Sequence, residues 1–150
     1  MAMNKLEPIV QSNPIYIGET IGQKYVVERM LAAGKSSTVF VAHTKHDARQ
    51  ERVALKVAPI ENGQTDLDND IAVLKSIDGK KYFAKIIGFV LHRQYKFLAM
   101  EQLGTSVNDI IHRPQIQKLC LSSVAKIGIQ SLDALSTLHK AGFVHGKVSA

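Results

Sequence analysis

Val53-Ala54-Leu55-Lys56-Val57-Ala58 is an apolar run with a single charge inside it. Pro59, which cannot donate to a ladder, closes the run, so residues 50–58 read as a strand. A period of two puts Lys56 on one face with Ala54 and Ala58. A lysine on a strand's inner face needs a carboxylate or a phosphate as partner. Farther along, Asp70 lies among Leu67, Ile71 and Leu74, which recur at i, i+4 and i+7 on the buried side of a helix predicted over residues 66–77. Asp78-Gly79 stops that helix. Lys56 and Asp70 account for each other as an ion pair. The plainer alternative is an edge lysine reaching water and a surface aspartate.

Two β-rich runs precede this strand, at residues 25–30 and 38–43, joined by the small-residue segment Ala32-Ala33-Gly34-Lys35-Ser36-Ser37, which is a hairpin signal. Residues 86–92 and 95–101 read as two more strands around the polar turn Arg93-Gln94. Asn62-Gly63 marks another turn. A short helix near residues 106–111 precedes a long one over residues 122–141, with Gly142 at its end. Five strands followed by helices is an α+β order and not the alternation of a parallel sheet. Residues 1–22, with Pro8, Pro14 and Gly18, read as an extended, partly disordered lead-in.

The 150-residue composition, 45% hydrophobic and 21% charged, is that of a globular protein. Cys120 is the single cysteine, so no internal disulfide forms. No stretch approaches roughly eighteen consecutive apolar residues, which excludes a membrane helix, and residues 1–14 lack a signal-peptide pattern. A cytoplasmic or nuclear location is the expectation. The net charge of +6 includes Lys80, Lys81, Lys85, Arg93 and Lys96. Such charge attracts anions, yet no nucleic-acid-binding fingerprint accompanies it, and a solvated basic surface explains it. No specific nucleic-acid partner is expected.

Gly34-Lys35-Ser36 has the ending of a phosphate-binding P-loop, G-x-x-x-x-G-K-[ST]. The first glycine of that pattern would fall on Arg29, and the downstream Thr38-Val39-Phe40-Val41 is strand-like, so a P-loop is excluded. The order of the blocks carries more. Ala72-Val73-Leu74-Lys75, Met100-Glu101-Gln102-Leu103-Gly104-Thr105-Ser106, Ile127-Gly128-Ile129-Gln130-Ser131-Leu132-Asp133-Ala134-Leu135 and Leu138-His139-Lys140-Ala141-Gly142-Phe143-Val144-His145 come in the order and spacing of a protein kinase. Together with the Lys56 strand they resemble the casein kinase I group, especially its tau-tubulin-kinase-like branch, over roughly residues 25–150.

The resemblance implies a kinase N-terminal lobe, a five-stranded antiparallel sheet plus one helix, with its hinge over residues 23–103. Residues 104–150 would hold the first helices of an incomplete C-terminal lobe. Aligned on Val39, the glycine-rich loop of the family falls on Ala32, Gly34 and Ser37, with one glycine of three kept. Lys56 would grip the nucleotide phosphates and be held by Asp70, where the family has glutamate. Met100 would be the gatekeeper, Glu101 and Leu103 would offer backbone groups to adenine, and Val39 and Ala54 would sandwich its ring.

The catalytic loop departs from this pattern. In Phe143-Val144-His145-Gly146-Lys147-Val148-Ser149-Ala150, Gly146 and Lys147 stand where the family carries arginine and the catalytic aspartate. Ser149 stands where its phosphate-contacting lysine comes. A protonated lysine has no acceptor lone pair and cannot serve as the base. The family's metal-binding residues would lie beyond position 150. The resemblance therefore implies a truncated, degenerate kinase with no intact catalytic residue, weak ATP binding at most and no Mg²⁺ held by this chain alone. In the long helix Val124, Ile127, Ile129, Leu132, Leu135 and Leu138 cover about 200° of the wheel, a band that suits a buried helix. A protein partner, or self-association through that face, would cover it. Two other functions stay open: an active Ser/Thr kinase of which this is a fragment, and a product without independent function.

Overall fold

Among the described residues, one antiparallel sheet of six strands organises the chain: β1 (Thr20–Ile21), β2 (Tyr25–Ala33), β3 (Thr38–Thr44), β4 (Arg52–Pro59), β5 (Ile86–His92) and β6 (Tyr95–Glu101). The spatial order is β1-β2-β3-β4-β6-β5. Helix α1 (Leu67–Ser76) connects β4 to β5, and α2 (Val107–Ile111) and α3 (Leu121–Lys140) come after the sheet. The structure, a computed structural model, describes residues 15–34, 37–46, 51–115 and 118–148.

Alternation along β4 explains its apolar character. Val53, Leu55 and Val57 point into the main core with Phe40 and Ala42 of β3, Phe97 and Ala99 of β6, and Tyr25 and Val27 of β2. On the other face Ala58 and Leu98 meet Leu67 and Ile71 of α1, with Leu74, Ile86 and Met100 around them. A strand covered on both faces reads as a nearly continuous hydrophobic run.

The helix and turns arise from local chemistry. Thr65 Oγ1 accepts from the Leu67 amide and Asp68 Oδ2 accepts from the Thr65 amide, both at 2.9 Å. This reciprocal arrangement satisfies amides that have no partner at a helix start. Asn62 and Gly63, with φ of 51° and 79°, form the two-residue turn between Glu61 and Gln64. At the end of α3, Phe143 N–H donates to the Leu138 carbonyl and Gly142 N–H to that of His139. Gly142 sits at φ 87°, which completes a Schellman motif.

Two expectations change. The sheet holds one strand more than the five read from sequence, and residues 15–22 are not a loose lead-in. Ile15 and Ile21 are 1% and 0% exposed and belong to the main core, while Thr20 and Ile21 pair with Val26 and Tyr25. A two-residue strand has no period to read, so the sequence pattern does not reveal it. Residues 1–14 lie outside the described part.

The sheet curls until its two rims touch. A Cβ built on Gly22 would come within 2.2 Å of Val90 Cγ1, so the β1–β2 turn needs glycine there for space as well as for its φ of 55°. Beside it, the Glu19 carboxylate accepts from the Tyr16 amide at 3.0 Å and meets His92 Nε2 and Arg93 Nη2 at 2.9 Å each. Burial raises the pKa of Glu19, but the Tyr16 amide, the His92 hydrogen bond and the charges of Arg93 and His92 outweigh it and leave it below its ordinary 4.5. A carboxyl whose folded pKa is depressed adds stability that is complete above pH 4.5 and lost as pH falls through the folded value. Glu19→Gln is therefore expected to lower the urea midpoint at pH 7 and to flatten its fall in acid. Urea titrations between neutral and acid pH check this, and an unchanged acid slope would remove Glu19 as its source.

Candidate functional site

The face of β4 toward α1 gathers Val39, Ala54, Lys56, Asp70 and Met100 of the residues singled out by sequence. Cross-strand register sets Val39 opposite Lys56 and Val41 opposite Ala54. On the other side of β4, Ala54 faces Met100 and Lys56 faces Leu98. Because facing residues share a sheet face, Val39, Ala54, Lys56 and Met100 form one surface.

Lys56 Nζ donates to Asp70 Oδ2 at 2.6 Å, with the two side chains 30% and 35% exposed. Alternation of β4 and the helical period of α1 bring the pair together, since Leu67 and Ile71 pull α1 onto the sheet. One methylene fewer than glutamate has not kept the acid from reaching the ammonium. Lysine keeps two further N–H donors beyond this bond, so the same ammonium can hold an anion while the aspartate orients it.

The β2–β3 hairpin forms the rim. Ala32 pairs with Val39 and Ala33 with Thr38, and Gly34 N–H donates to the Ser37 carbonyl at 2.8 Å. Ala32 and Ala33 thus belong to strand β2, and Lys35 and Ser36 lie outside the described residues. The segment after Ser37 is strand β3 and not a helix, in line with the exclusion of a P-loop. The Ala32 side chain is exposed.

At the other end of the surface, Glu101 closes β6. Its N–H donates to the Lys85 carbonyl at 2.9 Å, and its carboxylate accepts from the Lys85 amide at 3.2 Å. The Glu101 amide is therefore already used, which leaves its carbonyl as the group to offer a ligand. Leu103, in the segment between β6 and α2, is exposed.

The loop after α3 stands apart. Gly146 adopts φ 68°, and the Lys147 amide donates to His145 Nδ1 at 3.2 Å. His145, Gly146 and Lys147 are exposed, and among the described residues no hydrogen bond or ion pair joins this loop to Lys56 or Asp70. Ser149 lies outside the described residues. Among those described, no group of three His, Cys, Asp or Glu side chains is placed to hold a metal ion. Among them, too, no helix is long and apolar enough to cross a membrane. The Glu19 clamp and the Thr65–Asp68 cap were missed by sequence reasoning; only the cap has a signal, the Thr-x-x-Asp spacing.

Comparison with known proteins agrees with this architecture. A solved kinase-domain crystal structure superposes with a TM-score of 0.71 at 21% identity, over 84% of this chain and 38% of that one. A probable serine/threonine-protein kinase of Dictyostelium discoideum is 26% identical over 131 residues, which are 87% of this chain and 26% of the relative. Protein kinase dsk1 of Schizosaccharomyces pombe is 31% identical over 147 residues, 89% of this chain and 27% of the relative. A putative casein kinase I of Caenorhabditis elegans is 25% identical over 136 residues, covering 87% of this chain and 39% of its own length. The chain thus spans from about a quarter to two fifths of these relatives. The family model for protein tyrosine and serine/threonine kinases matches residues 25–150, and the chain belongs to that family.

Proposed function

We propose that this chain is a kinase-like binding protein of the casein kinase I group that holds ATP weakly and does not transfer its phosphate. The observation that carries this reading is the contrast between its two motifs. The Lys56–Asp70 pair is closed at 2.6 Å, while the loop that supplies the base in the family has Lys147 at that position. In kinases the aspartate accepts the proton of the substrate hydroxyl. An ammonium only donates, and loss of a general base typically costs about 10²–10⁴ in rate. Val39, Ala54 and Met100 would take the adenine ring, the Glu101 carbonyl and the backbone of Leu103 its edge, and Lys56 the phosphates. Nucleotide binding independent of Mg²⁺ is part of this proposal, and thermal-shift titrations with ATP in the presence and absence of Mg²⁺ test it.

Protein contact is the second part of this reading. Leu121, Val124, Ile129 and Leu132 of α3 are at least half exposed, and an apolar band of this kind is a surface for a protein partner or a second copy. A second reading, an active Ser/Thr kinase of which these residues are one part, is favoured by the partial coverage of the relatives. One assay separates the two. Transfer of labelled phosphate from ATP to protein hydroxyls is expected to be absent with the 150-residue chain and with the product of the full transcript. Activity of the longer product would establish the second reading, and no thermal stabilisation by ATP would sink the first.

A further inference from the structure

We infer that the cleft where the two rims of the curled sheet meet is an anion site for a phosphate monoester. It lies away from the Lys56 surface and has a volume of about 720 Å³. Three separate segments build it: Thr20 and Gln23 around the β1–β2 turn, Lys45 and His46 at the exit of β3, and His92 and Arg93 at the β5–β6 turn. Each segment is held in place. Gly22 packs against Val90, the Lys45 amide donates to the Lys24 carbonyl at 2.8 Å, and Glu19 holds His92 and Arg93.

The chemistry of the lining is cationic. Lys45 and Arg93 are fixed positive charges, His46 and His92 add two imidazoles, and Thr20 and Gln23 carry neutral donors. The carboxylate of Glu19 contacts this wall at Arg93 Nη2 and His92 Nε2. It acts as the orienting group behind the arginine and uses one of five guanidinium N–H donors. Arg93 remains 53% exposed, so the rest of its planar fork is open to a second oxyanion. An arginine and a lysine lining one cleft match the charge and acceptor count of a phosphate dianion better than a single carboxylate. The volume exceeds that of the phosphate itself, which leaves room for the carbon skeleton of an ester.

The test is an NMR titration of the full ¹⁵N-labelled chain with inorganic phosphate or O-phosphoserine, at constant ionic strength set by sodium chloride. Saturable amide shifts clustered at Gln23, Lys45, His46 and Arg93 are the expected result. Tighter binding of O-phosphoserine would assign the site to an ester, and equal binding to the phosphate group alone. Lys45→Gln/Arg93→Asn removes two charge-assisted donors and is expected to weaken binding by about a hundredfold or more, at least about tenfold for each. Asparagine is chosen because position 93 has φ 54°. Lys45→Gln alone, which leaves the β5–β6 turn untouched, should show a smaller loss in the same direction. Lys80→Gln/Lys81→Gln removes the same charge elsewhere and should leave binding unchanged. Shifts that never saturate and scatter over the surface, or equal losses in the two double variants, would overturn the site and assign the effect to net charge.

Discussion

Phe97→Ala is expected to destabilise the chain by about 3–5 kcal/mol, the usual cost of emptying a fully buried aromatic position. Phe97 is 0% exposed, faces Val57 across β6 and β4 and Val90 across β6 and β5, and meets the His92 ring edge-on at 6.3 Å. It therefore ties the centre of the sheet to the closing hairpin. Against a typical total of about 5–15 kcal/mol, such a loss moves the melting temperature down by on the order of 10 °C or removes the cooperative transition. The informative control is Leu132→Ala on α3, where the side chain is 69% exposed. Its removal takes little apolar surface out of the fold, and a change within about 0.5 kcal/mol is expected. Thermal and urea melts of the two variants compare them directly. Equal losses would mean that α3 is packed in solution, and would relocate part of the stability from the sheet to the helices.

The contrast between these two sites also explains how much could be read from sequence. Val53–Ala58 is a nearly continuous apolar run in which Lys56 is the single charge, and Leu67–Leu74 carries a period of 3.6, so the strand that bears Lys56 and the helix side that bears Asp70 were legible without coordinates. The ion pair then came from the cost of an unpartnered charge near a core. Nothing of this kind marks Glu19. Its partner His92 is 73 residues away, and β1 is too short to show a period. The Glu101 amide shows a similar limit. Its bond to the Lys85 carbonyl depends on how the chain enters β5, and backbone pairing of that sort leaves no trace in side-chain type. For α3 the apolar band was readable, but its cover was not, since amphipathicity states that a face wants burial without naming the partner.

Lys56→Met is expected to abolish most of the stabilisation that ATP confers, with little effect on the unliganded fold. The two effects separate because the Lys56–Asp70 pair is about one third exposed. Ion pairs that water reaches contribute about 0–1 kcal/mol, and the methionine stem replaces most of the apolar contact of the lysine. A charge-assisted bond from the ammonium to a phosphate is worth about 1.5–3 kcal/mol, so affinity should fall roughly 10–100-fold. At a ligand concentration a hundred times the original Kd, about 2.7 kcal/mol of stabilisation would shrink toward nothing at the hundredfold end of that range. Asp70→Asn distinguishes orientation from charge. It keeps the shape of the acid and an acceptor oxygen but removes the negative charge that holds the ammonium, so affinity should fall less than in Lys56→Met. Thermal-shift titrations with ATP, with and without Mg²⁺, measure all three proteins side by side. Full retention of the nucleotide shift in Lys56→Met would take Lys56 out of the phosphate-binding role, and a wild-type shift that requires Mg²⁺ would point to metal ligands that the described residues do not show.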